Sequence, residues 1–180
     1  RFDDFGTSAV TLDLQEGGTY TFDQSDSSNS GHPLRFSTTS NGTHGGGSEY
    51  TTGVVTTGTP GSAGAKTVIT VAASAPTLYY YCTQHSGMGG QANTNSTFGS
   101  SNFSGSIQSK VSVGSTQGFS IGTYTGNATA GATIGHGLGA SPAWIICRTI
   151  SAAKDWCIFH HRNTSAPQTD VLILNSTAAT

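Results

Sequence analysis

The chain has 180 residues and a formal net charge of −2 at pH 7, and only 9% of its residues are charged. The seven Lys and Arg are scattered, which argues against a nucleic-acid partner. No apolar run reaches the roughly 18 residues needed for a membrane span. Ser and Thr together make up about 29% of the chain, with 25 glycines. Val, Ile, Thr, Tyr and Phe recur in short runs between Gly, Ser and Asn clusters. That is the pattern of an all-β protein rather than of a disordered one.

In chain order, residues 1–7 read as a connector. Residues 8–14 alternate, with Val10, Leu12 and Leu14 against Thr11 and Asp13, which predicts a half-buried strand. Gly17-Gly18 makes a turn into a strand over 19–22, with Tyr20 and Phe22 on one face. A polar loop over 23–31 leads to His32, and Leu34 and Phe36 begin a third strand. Residues 41–48 form a glycine-rich loop. Strands are expected at 50–57, 66–72 and 77–82, with a short closing strand within 89–97. About seven strands over 8–97 is the size of a Greek-key β-sandwich.

Residues 98–117 are rich in Ser and Gly and read as an ordered linker. A second, smaller β module is expected over 118–180, with strands at 119–125, 130–134, 143–150, 154–161 and 170–174. It reads as an incomplete sandwich that continues beyond Thr180 or is completed by neighbouring chains. The chain begins Arg1-Phe2 without an initiator Met and is expected to be a piece of something longer.

The stretch with the most chemistry is Cys82-Thr83-Gln84-His85-Ser86-Gly87-Met88. Thiolate, imidazole and thioether on one loop are three of the ligand types of a mononuclear blue-copper site, and a second imidazole completes the set. His32 is the candidate for it. The expected metal ligands are therefore His32, Cys82, His85 and Met88, with copper as the candidate cofactor. Met88 is the one methionine in the chain.

His44, in the glycine-rich loop, reads as solvated, and His136 as ordering its turn. His160 and His161 are adjacent on a strand, point to opposite faces and are poorly placed to share an ion. Cys147 and Cys157 are a candidate disulfide: if the hairpin turns about Ala152 they face one another, and a non-hydrogen-bonded pair would lie within disulfide range. Six of the eight asparagines begin Asn-x-Ser/Thr sequons, at Asn41, Asn95, Asn102, Asn127, Asn163 and Asn175. Abundant Ser and Thr account for part of that number. No nucleophile-base spacing, phosphate-binding loop or paired carboxylates stand out, so no enzyme and no catalytic residue is expected.

The Cys-x-x-His-x-x-Met loop resembles that of the cupredoxins, and its spacing is similar to the short ligand loop of the amicyanins. Pro33 stands where a cupredoxin often has Asn or Asp bracing the loop. Over 19–90 the chain resembles cupredoxin-like modules of virion structural and tail-fibre proteins of marine bacteriophages, cyanophages among them. The matching residues include 22–26, 30–37 and 79–90. Residues 118–175 resemble a second module of such proteins, on Tyr-Thr-Gly-Asn at 124–127, Gly-His-Gly-Leu-Gly-x-x-Pro at 135–142, Trp144, Trp156, Phe159-His160 and Leu-Asn-Ser-Thr at 174–177.

The resemblance implies a non-enzymatic structural segment of an extracellular virion appendage. Its expected partners are copies of itself in a homotrimer or other homo-oligomer, other virion proteins and host-surface glycans. The alternatives from the residues are an extracytoplasmic blue-copper electron carrier and a secreted filament-forming or adhesive surface protein.

Overall fold

The structure, a computed structural model, describes residues 9–96 and 98–176. The expected connector at 1–7 lies outside the described residues. The protein is all-β: thirteen short strands and two 3-10 turns, with no α-helix among the described residues. The chain divides into two compact units, Arg1–Gly137 and Leu138–Thr180.

In the first unit, β1 (Leu12–Asp13), β3 (Leu34–Ser37), β6 (Leu78–Cys82) and β7 (Gly89–Asn93) form a four-stranded sheet in the order β1-β7-β6-β3. β1 runs parallel to β7, and the other pairs are antiparallel. β2 (Thr19–Asp23), β4 (Val54–Thr57) and β5 (Lys66–Thr70) form a second sheet in the order β2-β5-β4. Period-2 alternation decides which side chains go inward. In β5, Thr67 and Ile69 are buried between exposed Lys66 and Thr70.

One apolar cluster joins the two sheets. Leu12, Phe36, Leu78, Tyr80 and Ala92 from the first meet Ile69 of the second, with Tyr20, Phe22 and Val54 packed against them. Phe22 and Phe36 touch edge to face at 5.5 Å between ring centres. Each fully buried large side chain here contributes about 2 kcal/mol of transfer free energy. Two sheets sharing one core make a β-sandwich.

The linker expected over 98–117 is corrected. β8 (Ser100–Asn102), β9 (Ser109–Gly114) and β10 (Phe119–Tyr124) form a third sheet with β9 in the middle, so strand pairing crosses the expected boundary at 118. This sheet is fastened to β1. Ser101 Oγ accepts from Asp13 N at 2.8 Å, Gln108 Nε2 donates to Thr11 O at 2.9 Å, and Lys110 pairs with Asp13 at 3.2 Å. Polar side chains carry the attachment, which explains why apolar periodicity did not show it. Residues 130–134 form no strand, and Ile134 makes one isolated bridge to Gly105.

The second unit contains β11 (Trp144–Cys147), β12 (Cys157–His160) and β13 (Leu172–Ile173), a three-stranded antiparallel sheet with β12 central. It is smaller than the five-strand module expected, because β10 belongs to the first unit and 130–134 stays irregular.

Candidate metal centre

β6 brings the cysteine to its place. Leu78 and Tyr80 point into the core, and Cys82 follows them on the same face at the strand's end. Leu34 is the register partner of Cys82, and the bond from Thr83 N to Pro33 O (3.1 Å) carries the β3–β6 pairing one step further. His32 therefore enters β3 beside Cys82 although 50 residues separate them.

The β6–β7 pairing also extends past its strands. Cys82 N donates to Met88 O at 2.9 Å, which closes the loop at its base. Residues opposed across antiparallel strands share a face, so Met88 lies on the side of the sheet that carries Cys82. His85 sits at the middle of this closed loop.

His32, Cys82 and His85 converge, with one ligand atom of each within 4.8 Å of the others. Cys82 Sγ lies 3.4 Å from His85 Nδ1 and 3.9 Å from His32 Nδ1. The two imidazoles are 4.5 Å apart between ring centres, tilted by 31°. Bonds of about 2.3 Å to sulfur and about 2.0 Å to nitrogen, at trigonal or tetrahedral angles, put the sulfur and a nitrogen about 3.5–3.7 Å apart. The observed separations bracket that value, so the three side chains fit one metal ion. Burial is graded: Cys82 is buried at 5% exposure, His32 is half-buried, His85 is exposed, and Met88 is 44% exposed.

Two supporting residues were not foreseen in the sequence. Gln24, 5% exposed, braces the His32 loop from below. Its Nε2 donates to His32 O at 2.8 Å, and its Oε1 accepts from Leu34 N at 3.2 Å and from Thr67 Oγ1 at 3.3 Å. Asn41 braces the ligand loop: its Oδ1 accepts from Gly87 N at 2.8 Å and its Nδ2 donates to Ser86 Oγ at 2.9 Å. With Pro33 unable to brace its neighbours, these two amides do that work.

His44, expected to be solvated, is exposed and lies outside the ligand cluster, yet it is bonded. Its Nε2 lies 3.1 Å from Cys82 O, and its ring meets Tyr81 edge to face. Tyr81 is buried on the sheet's other face, and its hydroxyl has no hydrogen-bond partner in the structure.

The approach to His32 is ordered by carboxylates. Asp26 caps the 3-10 turn Ser27–Asn29 by accepting from Ser28 N at 2.8 Å, and Asp23 accepts from Ser25 N at 2.8 Å. Hydrogen bonds with the side chain and then the backbone of Ser28 hold the Asp26 carboxyl below its ordinary range, and those with Ser25 do the same for Asp23.

The remaining sequence candidates lie elsewhere. His160 and His161 touch edge to face at 5.2 Å, and neither belongs to the cluster. Cys147 and Cys157 are register partners on β11 and β12 and stand as thiols. No helix among the described residues is long and apolar enough to cross a membrane.

No curated protein and no solved structure matches the chain significantly. Residues 89–180 match the family model described as a domain of unknown function, DUF7483. That match starts at β7, inside the first sheet, and runs to the end of the chain. Because it covers just over half of the sequence, the chain belongs to the DUF7483 family.

Proposed function

We propose that the chain is a non-enzymatic structural protein whose first unit is a cupredoxin-like, copper-binding β-sandwich. The observation that carries the copper reading is the convergence of His32, Cys82 and His85 at metal-ligand separations. Met88, opposed to Cys82 at the base of the loop, would add a thioether to the donor set. A thiolate with a thioether selects soft copper over the hard cations that oxygen ligands hold. Copper would bring one-electron redox chemistry, while the chain's own residues set the ligand geometry and keep the sulfur away from water. Native mass spectrometry of the copper-loaded chain tests this. One copper per chain is expected, lost in Cys82→Ser; an equal copper load in that variant overturns the reading.

The second reading concerns the whole chain, as a segment of an extracellular virion appendage assembled from copies of itself. Besides the resemblance described above, it is favoured by the second unit's surface. Every residue of β11 is exposed, Trp144 by 60%, and Ile150 is 89% exposed. Apolar surface of that extent suits coverage by further protein, and symmetric homo-oligomers are the common solution. Light scattering on the purified chain is expected to give a trimer or another closed oligomer. A monomer at micromolar concentration would remove this reading and leave the copper reading intact.

A further inference from the structure

The second unit holds three strands together with very little core. Ile158 is its one buried hydrophobic side chain among the described residues. Segments of this size, near or below about 40 residues, usually need a disulfide, a metal or a partner to stay folded.

Cys147 and Cys157 face one another across β11 and β12. The bond from His161 N to Ala143 O (3.0 Å) makes that pair a hydrogen-bonded one, and every second pair along the ladder shares its character. The Cys147–Cys157 pair falls on this alternation, contrary to the non-hydrogen-bonded pairing expected from the sequence. Facing Cα atoms of such pairs are about 5.5 Å apart, still inside the usual disulfide range of about 4.4–6.8 Å. Both side chains are on one face of the sheet, and both residues are exposed to an incoming reagent.

We propose that Cys147 and Cys157 form a redox site: a low-molecular-weight disulfide oxidant converts them into a cross-strand disulfide that staples β11 to β12. One cysteine thiolate attacks a sulfur of the oxidant, forming a mixed disulfide and releasing the first small thiol. The second cysteine attacks the protein sulfur of that mixed disulfide and releases the second small thiol. The two protein thiols lose two electrons and two protons in total, and the oxidant's disulfide gains them. Cys82 takes no part, since it is buried and lies against His85 in the first unit. The site is independent of the copper reading.

The full-length chain, reduced and then equilibrated with oxidised glutathione, provides the test. Maleimide labelling after denaturation counts three thiols before oxidation, one for each cysteine in the sequence. It should count one afterwards, with a Cys147–Cys157 cross-linked peptide in the mass spectrum. Closing so short a loop shifts the unit's folding equilibrium by about a hundredfold in the chain-entropy description, so proteolysis within 138–180 should slow by about that factor. Cys147→Ser and Cys157→Ser should each abolish the protection. Three reactive thiols after oxidation, a cross-link that includes Cys82, or one that joins two chains would overturn the proposal. If a serine variant fails to fold, the thiol count and cross-link map of the unaltered chain decide alone.

Discussion

The Asn41 carboxamide ties the glycine-rich loop to the loop between Cys82 and Met88, accepting from Gly87 N at 2.8 Å and donating to Ser86 Oγ at 2.9 Å. Asn41 itself sits at φ +62°, a left-handed conformation that Asn and Gly adopt most readily. Asn41→Gly therefore removes the brace while keeping the backbone. Bracing groups behind metal ligands typically carry ten- to a hundredfold in affinity. Copper affinity of Asn41→Gly should fall by about that much in a competition titration against a chelator, with the apo-protein melting temperature nearly unchanged.

Gln24 serves the other side of the site. Gln24→Leu leaves His32 O, Leu34 N and Thr67 Oγ1 without a bond that each makes to it now. Unmade hydrogen bonds at partly buried groups cost about 1–3 kcal/mol each, softened here because Thr67 Oγ1 also donates to Leu34 O. A loss of about 2–4 kcal/mol in urea unfolding is expected, with the slope of the transition preserved. A loss below about 0.5 kcal/mol, the level of a neutral surface change, would show that Gln24 does not hold the His32 loop.

Gly42 and Gly46 separate steric from backbone effects. Both have positive φ, +53° and +81°. A Cβ on Gly42 would lie 2.5 Å from the Tyr81 ring, whereas one on Gly46 meets nothing within 4 Å. Gly46→Ala should cost only the left-handed penalty, about 1–2 kcal/mol. Gly42→Ala should cost clearly more, about 3 kcal/mol, because overpacking is added. Differential scanning calorimetry of the two variants checks the order.

Tyr80 sets an alkaline limit. Burial pushes its phenol up from 10.0 to about 12, and its hydroxyl donates to Val10 O at 2.8 Å. The folded chain thus keeps this proton at pH values where the unfolded chain releases it. The associated stability is complete below about pH 10 and is lost as pH rises through about 12. Ultraviolet titration should show a late tyrosine ionisation near pH 12, and that step should vanish in Tyr80→Phe.

The convergence of His32, Cys82 and His85 was legible because Cys82 and His85 sit three residues apart on one loop and His32 follows a recognisable turn. The strands of the first two sheets were legible from the alternation of residues such as Tyr20 and Phe22. Gln24, Asn41 and His44 were not, because each acts on backbone or loop atoms far along the chain and none belongs to an apolar repeat. The third sheet escaped for a related reason. β8 is Ser-Ser-Asn, and its attachment to β1 runs through Ser101, Gln108 and Lys110. The Cys147–Cys157 facing was legible from the hairpin centre at Ala152, but the hydrogen-bonding character of the pair depended on the His161–Ala143 bond.

The central claim is that His32, Cys82, His85 and Met88 form one copper site, and a visible absorption spectrum of the reduced chain after addition of Cu(II) tests it most directly. An intense thiolate-to-copper band is expected, saturating at one copper per chain and absent in Cys82→Ser. Correctly folded protein that gives no such band, or a band unchanged in Cys82→Ser, would contradict the claim.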